Sequence, residues 1–186
     1  MKLNLPNVLT WIRIATIPVF VYCFFSDLVF ARPIAGLLFG FAAITDLLDG
    51  YAARKLGQTS KFGAFLDPVA DKLMVTIALV LLVQGDPRVT VAMIAVVIIG
   101  REITVSALRE WMASIGERAQ VAVSWTGKIK TVFQMIGISF MVFQIPLFGV
   151  PVYLLGYWLL VIASVMTLWS MMVYLRAAWP SLNAAE

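Results

Sequence analysis

The chain has 186 residues, 62% of them hydrophobic and 13% charged, with a formal net charge of +4. Soluble domains carry about 25% charged residues, so an ordinary soluble globule is excluded, and an all-α, polytopic membrane protein forming one domain over residues 1–186 is expected. There is no histidine and only one cysteine, Cys23, which excludes imidazole acid–base chemistry, imidazole ligation of metals, a thiolate zinc cluster and an intrachain disulfide.

Residues 1–7 form an entry segment in which Asn7 is a candidate N-cap. Lys2 precedes an apolar stretch, but that stretch is long enough to span and lacks an A-x-A site, so no cleavable signal peptide is expected. The first span runs from Val8 to about Phe25, with Pro18 a kink. Thr10, Arg13 and Thr16 recur every three residues. A lipid-facing Arg13 would cost several kcal/mol, about 2.5–3.5 on insertion scales, so an inward orientation is expected; the alternative is snorkelling from near the helix start. After a loop from Ser26 to Pro33, the second span covers about Ile34 to Arg54 and opens with Gly36-x3-Gly40, small residues that permit close helix approach.

The third helix has two possible starts. Asp67-Pro68 can be an N-cap followed by proline at the first helical position, or Thr59 or Ser60 can cap an earlier start with Pro68 inside the helix. The earlier start sets Asp67 and Asp71 on one face and is preferred; either way the span ends near Val83. Gly85-Asp86-Pro87 is a turn. The fourth span begins near Val89, stays apolar to Gly100, and continues amphipathically through Trp111, with Glu102, Ser106 and Arg109 on one face and Arg101 offset. Residues 114–127 read as a loop. Lys128, Lys130 and Thr131 open the fifth span, which is apolar from Val132 to about Ile145, and a turn follows from Pro146 to Pro151. The sixth span ends near Leu175, before Arg176 and a short tail.

Six spans put both termini on one side of the membrane. Twelve of the 14 basic residues fall on that side and only Arg32 and Arg88 opposite, so by the positive-inside rule both termini are cytoplasmic. The positive charge is thereby assigned to topology, and no nucleic-acid partner is expected.

Four of the six aspartates, Asp46, Asp49, Asp67 and Asp71, fall in one window of 26 residues. Asp46 and Asp49 are three apart and Asp67 and Asp71 four apart, so each pair shares a helix face. Four carboxylates at the neighbouring ends of two apolar helices would repel one another and lose hydration, so cations must hold them. An all-oxygen donor set suits magnesium, manganese or calcium, and two facing pairs can hold two ions a few ångströms apart. The competing reading is a structural ion-pair cluster with Arg54, Lys55, Lys61 and Lys72. It leaves the small residues Gly50, Ala53 and Gly63 at set intervals unexplained. They lack bulk, so a nucleotide could approach the backbone, although close helix packing would also favour them.

The full pattern, D-x2-D-G-x2-A-R-x8-G-x3-D-x3-D, resembles the signature of the CDP-alcohol phosphotransferase family, integral membrane enzymes of phospholipid synthesis. The resemblance implies a CDP pocket at Gly50, Ala53 and Gly63 with Thr45 and Arg54 beside it. It also implies two Mg2+ or Mn2+ ions held by Asp46, Asp49, Asp67 and Asp71, with Asp71 either a ligand or the base that deprotonates an acceptor hydroxyl. The hydroxyl attacks the phosphorus bearing the lipid, and CMP leaves.

Gly100-Arg101-Glu102-Ile103, Ser106 to Trp111, Val123 to Thr131, and Pro6-Asn7-x2-Thr10-x2-Arg13 are similar to the bacterial branch of the family that uses CDP-diacylglycerol and sn-glycerol 3-phosphate. An acceptor that carries a phosphate needs a basic pocket, and Arg101, Arg109, Lys128 and Lys130 lie on the cytoplasmic side; the bland alternative is membrane anchoring. The resemblance further implies a homodimer among membrane lipids, in the bacterial inner membrane, with the active site facing the cytoplasm. Two rivals stand beside it. One is a sister enzyme with serine or inositol phosphate as acceptor. The other is a divalent-cation transporter, whose carboxylates should lie near the bilayer midplane on broken helices.

Overall fold

A computed structural model describes residues 5–56, 61–116 and 125–184, with side chains described for residues 8–45, 63, 65–116, 129–176 and 178–179. Six helices follow one another: α1 (Leu5–Phe25), α2 (Ala31–Leu56), α3 (Lys61–Gly85), α4 (Val89–Ser114), α5 (Trp125–Phe143) and α6 (Val152–Ala184). The all-α expectation holds. Among the described residues three helices are long and apolar enough to cross a membrane, over Val8–Phe25, Val89–Ser114 and Val152–Arg176, and shorter apolar helices cover Ala31–Thr45 and Ile129–Phe143. The molecule is a membrane protein. Trp158, Trp169, Phe41, Leu154 and Val165 are among many large apolar side chains on its outside, a surface suited to lipid and not to water.

The helices close into a ring in which neighbours run α1, α2, α5, α6, α4, α3 and back to α1, with α3 also reaching α5 across the middle. Phe20, Phe24, Phe39, Leu79, Ile98, Ile138 and Leu160 fill the interior. Small residues set the spacing. A Cβ on Gly36 would come within 2.8 Å of Ser139 O and Phe143 Cβ, and one on Gly156 within 2.8 Å of Gly137 O and Phe140 Cβ. The close approach expected at Gly36 is therefore real, between α2 and α5. The comparable contact between α5 and α6, at Gly137 and Gly156, carried no legible motif.

Helix ends depart from expectation in a consistent direction. Asn7 lies inside α1, which already begins at Leu5 with Pro6 in its first turn, where a missing N–H costs nothing. α2 begins at Ala31, within the expected loop, because Pro33 then falls in the first turn. α3 takes the earlier start at Lys61, with Pro68 inside it; Thr59 and Ser60 lie outside the described residues. α5 begins at Trp125, within the expected loop of 114–127, whose middle also lies outside the described residues. α6 continues past Leu175 to Ala184. The early start of α3 is the preferred one, whereas at α2, α5 and α6 the expected bound follows the end of apolar periodicity, and a helix continues wherever propensity allows, as through Ala177 and Ala178. α4 does run unbroken beyond Gly100. Its 26 residues span about 39 Å at 1.5 Å per residue, longer than the roughly 30 Å apolar layer.

The turn from α5 to α6 is tight. Phe148 and Gly149 both have positive φ, 50° and 80°, between Leu147 and Val150, whose backbones exchange hydrogen bonds of 3.1 and 2.9 Å. That is the twist of a two-residue hairpin turn, and glycine relieves it at the second position.

Candidate active site

Asp67 and Asp71 lie one turn apart in the first half of α3. Pro68 between them removes one helical hydrogen bond from that turn. The side chains that meet them come from α1. The Thr10 hydroxyl donates to Asp67 Oδ1, and Arg13 Nη1 donates to Asp71 Oδ1. Thr10 is fully buried and Arg13 is 3% exposed, while the Asp71 side chain keeps 35% of its surface. The inward orientation expected of Arg13 is observed. A buried guanidinium is tolerated only with a partner, and Asp71 is that partner. Among the cations foreseen as partners of the carboxylates, Arg13 was missing. Its signal was Thr10 and Arg13 at helical spacing in an apolar span.

A small cavity of about 20 Å3 opens beside this pair, lined by Arg13, Asp71, Phe39, Ala42, Ala43 and Met135. That is room for roughly one water molecule. The walls from α2 are small because of Ala42 and Ala43. Three residues further on, Thr45 turns its hydroxyl back to Ala42 O at 2.8 Å.

Asp46, Asp49, Gly50, Ala53 and Arg54 fall on the last turns of α2, and their side chains lie outside the described residues, as does that of Lys128 on α5. Gly63 is buried in the first turn of α3. Among the described residues no cluster of three or more acidic, histidine or cysteine side chains forms. The described part of the centre is thus the α3 pair, two carboxylates on one face with oxygen donors only. That donor chemistry fits a hard divalent ion.

A second group gathers where α4, α5 and α6 meet. Arg101 pairs with Glu102 beside it, and its Nε is buried without a hydrogen-bond partner among the described residues. Lys130 is 4% exposed and donates to Ser170 Oγ at 3.2 Å; Arg101, Glu102 and Arg109 are its charged neighbours. Arg109 is exposed and turns to α6, donating to Tyr174 OH at 3.0 Å with its guanidinium 5.5 Å from that ring. The structure therefore brings Arg101, Arg109 and Lys130 together despite the offset of Arg101. Among the described residues three cations gather there with one carboxylate, a charge balance that suits an anion. Lys72, next to Asp71, donates to Ser106 Oγ on α4, and Ser106 in turn donates to Glu102 O at 2.6 Å. This chain of contacts ties the cationic group to the carboxylate end of α3. Ser170 and Tyr174 were not foreseen, because α6 has no charge before Arg176 to mark that face.

The opposite end is organised separately. Asp86, in the α3–α4 turn, accepts from Arg88 Nε at 2.9 Å and from Tyr153 OH on α6. The Arg88 hydrogen bonds hold the Asp86 carboxyl down to about 2. The same partnership raises the Arg88 guanidinium above its ordinary value.

Comparison with known proteins matches residues 3–169 to the model of the CDP-alcohol phosphatidyltransferase family. The chain is 50% identical over 183 residues to a CDP-diacylglycerol–glycerol-3-phosphate 3-phosphatidyltransferase of Pseudomonas fluorescens, covering 97% of this chain and 93% of that protein. Proteins of the same name are 48% identical in Yersinia pestis (strain Pestoides F), covering 98% of both chains, and 46% identical in Salmonella paratyphi A, covering 96% of both.

Proposed function

The chain belongs to the CDP-alcohol phosphatidyltransferase family, and we propose that it transfers the phosphatidyl group of CDP-diacylglycerol to sn-glycerol 3-phosphate, giving phosphatidylglycerophosphate and CMP. The similarity over almost the whole chain to proteins named for that reaction supports it. The observation that carries the acceptor is Lys130, a buried cation with Arg101 and Arg109 for neighbours, which a phosphate dianion would balance.

Asp46, Asp49, Asp67 and Asp71 would hold two Mg2+ or Mn2+ ions. Such ions, when bound, neutralise charge on a pyrophosphate and its leaving oxygen. Gly50, Ala53 and Gly63 leave room for the cytidine nucleotide, with Thr45 and Arg54 beside it. Arg101, Arg109, Lys128 and Lys130 hold the acceptor phosphate. Asp71 orients the acceptor hydroxyl and takes its proton, or completes the ion site. The acceptor oxygen bonds to the lipid-bearing phosphorus, the bond from that phosphorus to the CMP oxygen breaks, and CMP departs. The setting is the bacterial inner membrane, with six spans, both termini and the site cytoplasmic, and two copies forming a homodimer.

The test is CMP release by the purified protein from CDP-diacylglycerol, with sn-glycerol 3-phosphate, serine or inositol phosphate as acceptor. Release should require sn-glycerol 3-phosphate and a divalent ion. Equal release with either other acceptor would overturn the assignment.

A further inference from the structure

We infer that Thr167 on α6, with Gln134 on α5 beside it, forms a polar floor one helical turn below Lys130 and reads the middle hydroxyl of the acceptor, a role that rests on the proposed three-carbon alcohol phosphate as substrate. Thr167 is 1% exposed, and its Oγ1 is buried with no hydrogen-bond partner among the described residues. Ser164 and Ser170, three residues to either side, return their hydroxyls to their own helix, to Val161 O at 2.7 Å and to Thr167 O at 3.0 Å. Such a return is the ordinary way to satisfy a hydroxyl in an apolar helix. Thr167 does not use it. A buried hydroxyl without a partner leaves its lost hydration uncompensated, so its place in the molecule shows what would satisfy it.

Ser170 accepts from Lys130 Nζ at 3.2 Å and donates to the Thr167 carbonyl, so two hydrogen bonds link the ammonium to the residue with the orphan hydroxyl. On α5, Gln134 follows Lys130 by one turn and is 6% exposed. The register between the two antiparallel helices runs from Lys130 opposite Ser170 to Gly137, where an added Cβ would meet Leu160 Cγ at 2.8 Å. Gln134 therefore lies level with Ser164 and Thr167. An acceptor whose phosphate is balanced by Lys130 and whose far hydroxyl attacks has one polar group left, the hydroxyl on its middle carbon. One helical turn is about 5.4 Å, a distance such a molecule spans. Its middle hydroxyl would exchange hydrogen bonds with Thr167 Oγ1 and the Gln134 amide.

CMP release from CDP-diacylglycerol, with sn-glycerol 3-phosphate or 3-hydroxypropyl phosphate as acceptor, tests this. The second compound keeps the phosphate and the reacting hydroxyl and lacks only the middle one. A neutral hydrogen bond is worth about two- to tenfold, so the parent should favour sn-glycerol 3-phosphate in kcat/KM by at least about that factor. Thr167→Val keeps the shape and removes the hydroxyl. It should lower this preference about two- to tenfold through a loss confined to sn-glycerol 3-phosphate, while Thr167→Ser keeps the parent's preference. If Thr167→Val keeps it too, or loses equally on both acceptors, the hydroxyl serves water or packing and the inference is overturned. Should Thr167→Val not fold, Gln134→Met is read in the same way, and the same two results overturn the floor. A parent that uses both phosphates equally has no reader of the middle hydroxyl, although its acceptor assignment stands. A parent that uses neither, but turns over serine or inositol phosphate, loses the acceptor assignment and the floor together.

Discussion

Lys130 concentrates the electrostatic problem of this molecule in one side chain. It is buried, its near charges among the described residues are two arginines and one glutamate, and its hydrogen-bond partner Ser170 is neutral. A buried ammonium in such company is costly unless an anion completes the group. Lys130→Gln should therefore raise the apparent KM for sn-glycerol 3-phosphate about ten- to hundredfold, the range for one charge-assisted contact. The KM for CDP-diacylglycerol should stay within about twofold, since Lys130 is assigned to the acceptor phosphate and not to the nucleotide. Steady-state kinetics with each substrate varied in turn checks this, and an equal rise in both constants would leave Lys130 a structural residue. Arg109 differs in kind. Exposed and already held by Tyr174, it has less to lose, and Arg109→Ala should cost less than Lys130→Gln.

At the scale of elements, the molecule is held by close helix contacts and by polar ties at both ends. Gly156 is the tightest contact between α5 and α6. A Cβ there would meet Gly137 O and Phe140 Cβ at 2.8 Å and Met141 N at 2.9 Å, two of them backbone atoms that cannot swing aside. Gly156→Ala should destabilise by about 1–3 kcal/mol, seen as a lower thermal midpoint in detergent. At the far end, Asp86 ties the α3–α4 turn to α6 through Tyr153 and Arg88. Its carboxyl sits at about 2, below the ordinary 3.8, so the tie is complete above about pH 4 and is lost as the pH falls through about 2. The parent should lose thermal stability across that window, and Asp86→Asn should flatten this part of the profile. These elements show what a sequence discloses and what it conceals. The spacing of Asp67 and Asp71, the inward Arg13 and the continuous α4 were all legible, because periodicity and the expense of a charge in an apolar segment act locally. The ring order was not, nor was the pairing of Thr10 and Arg13 with α3, because packing between distant helices leaves no local spacing to read.

For the whole molecule, charge is sorted by end. Thr10, Arg13, Asp67, Asp71, Lys72, Arg101, Arg109, Lys130 and Tyr174 are linked into contacts at one end, and Arg32, Asp86, Arg88 and Tyr153 gather at the other. That separation follows from six antiparallel helices whose charged turns alternate along the chain. The basic majority at the carboxylate end predicts that this end faces the cytoplasm. A nucleotide-linked donor and a phosphorylated acceptor would then reach the site without crossing the bilayer. Single cysteines placed in a Cys23→Ser background test the orientation. Ser114, at the end of α4 on the carboxylate side, and Asp27, in the α1–α2 connection on the other side, are both exposed. With a membrane-impermeant maleimide, Ser114→Cys should label in inverted vesicles and not in spheroplasts, whereas Asp27→Cys should do the reverse. The opposite pattern would put the carboxylates outside and sever the site from its cytosolic substrates. Labelling of both positions from one side would break the six-span arrangement itself, since Asp27 follows one span and Ser114 follows four.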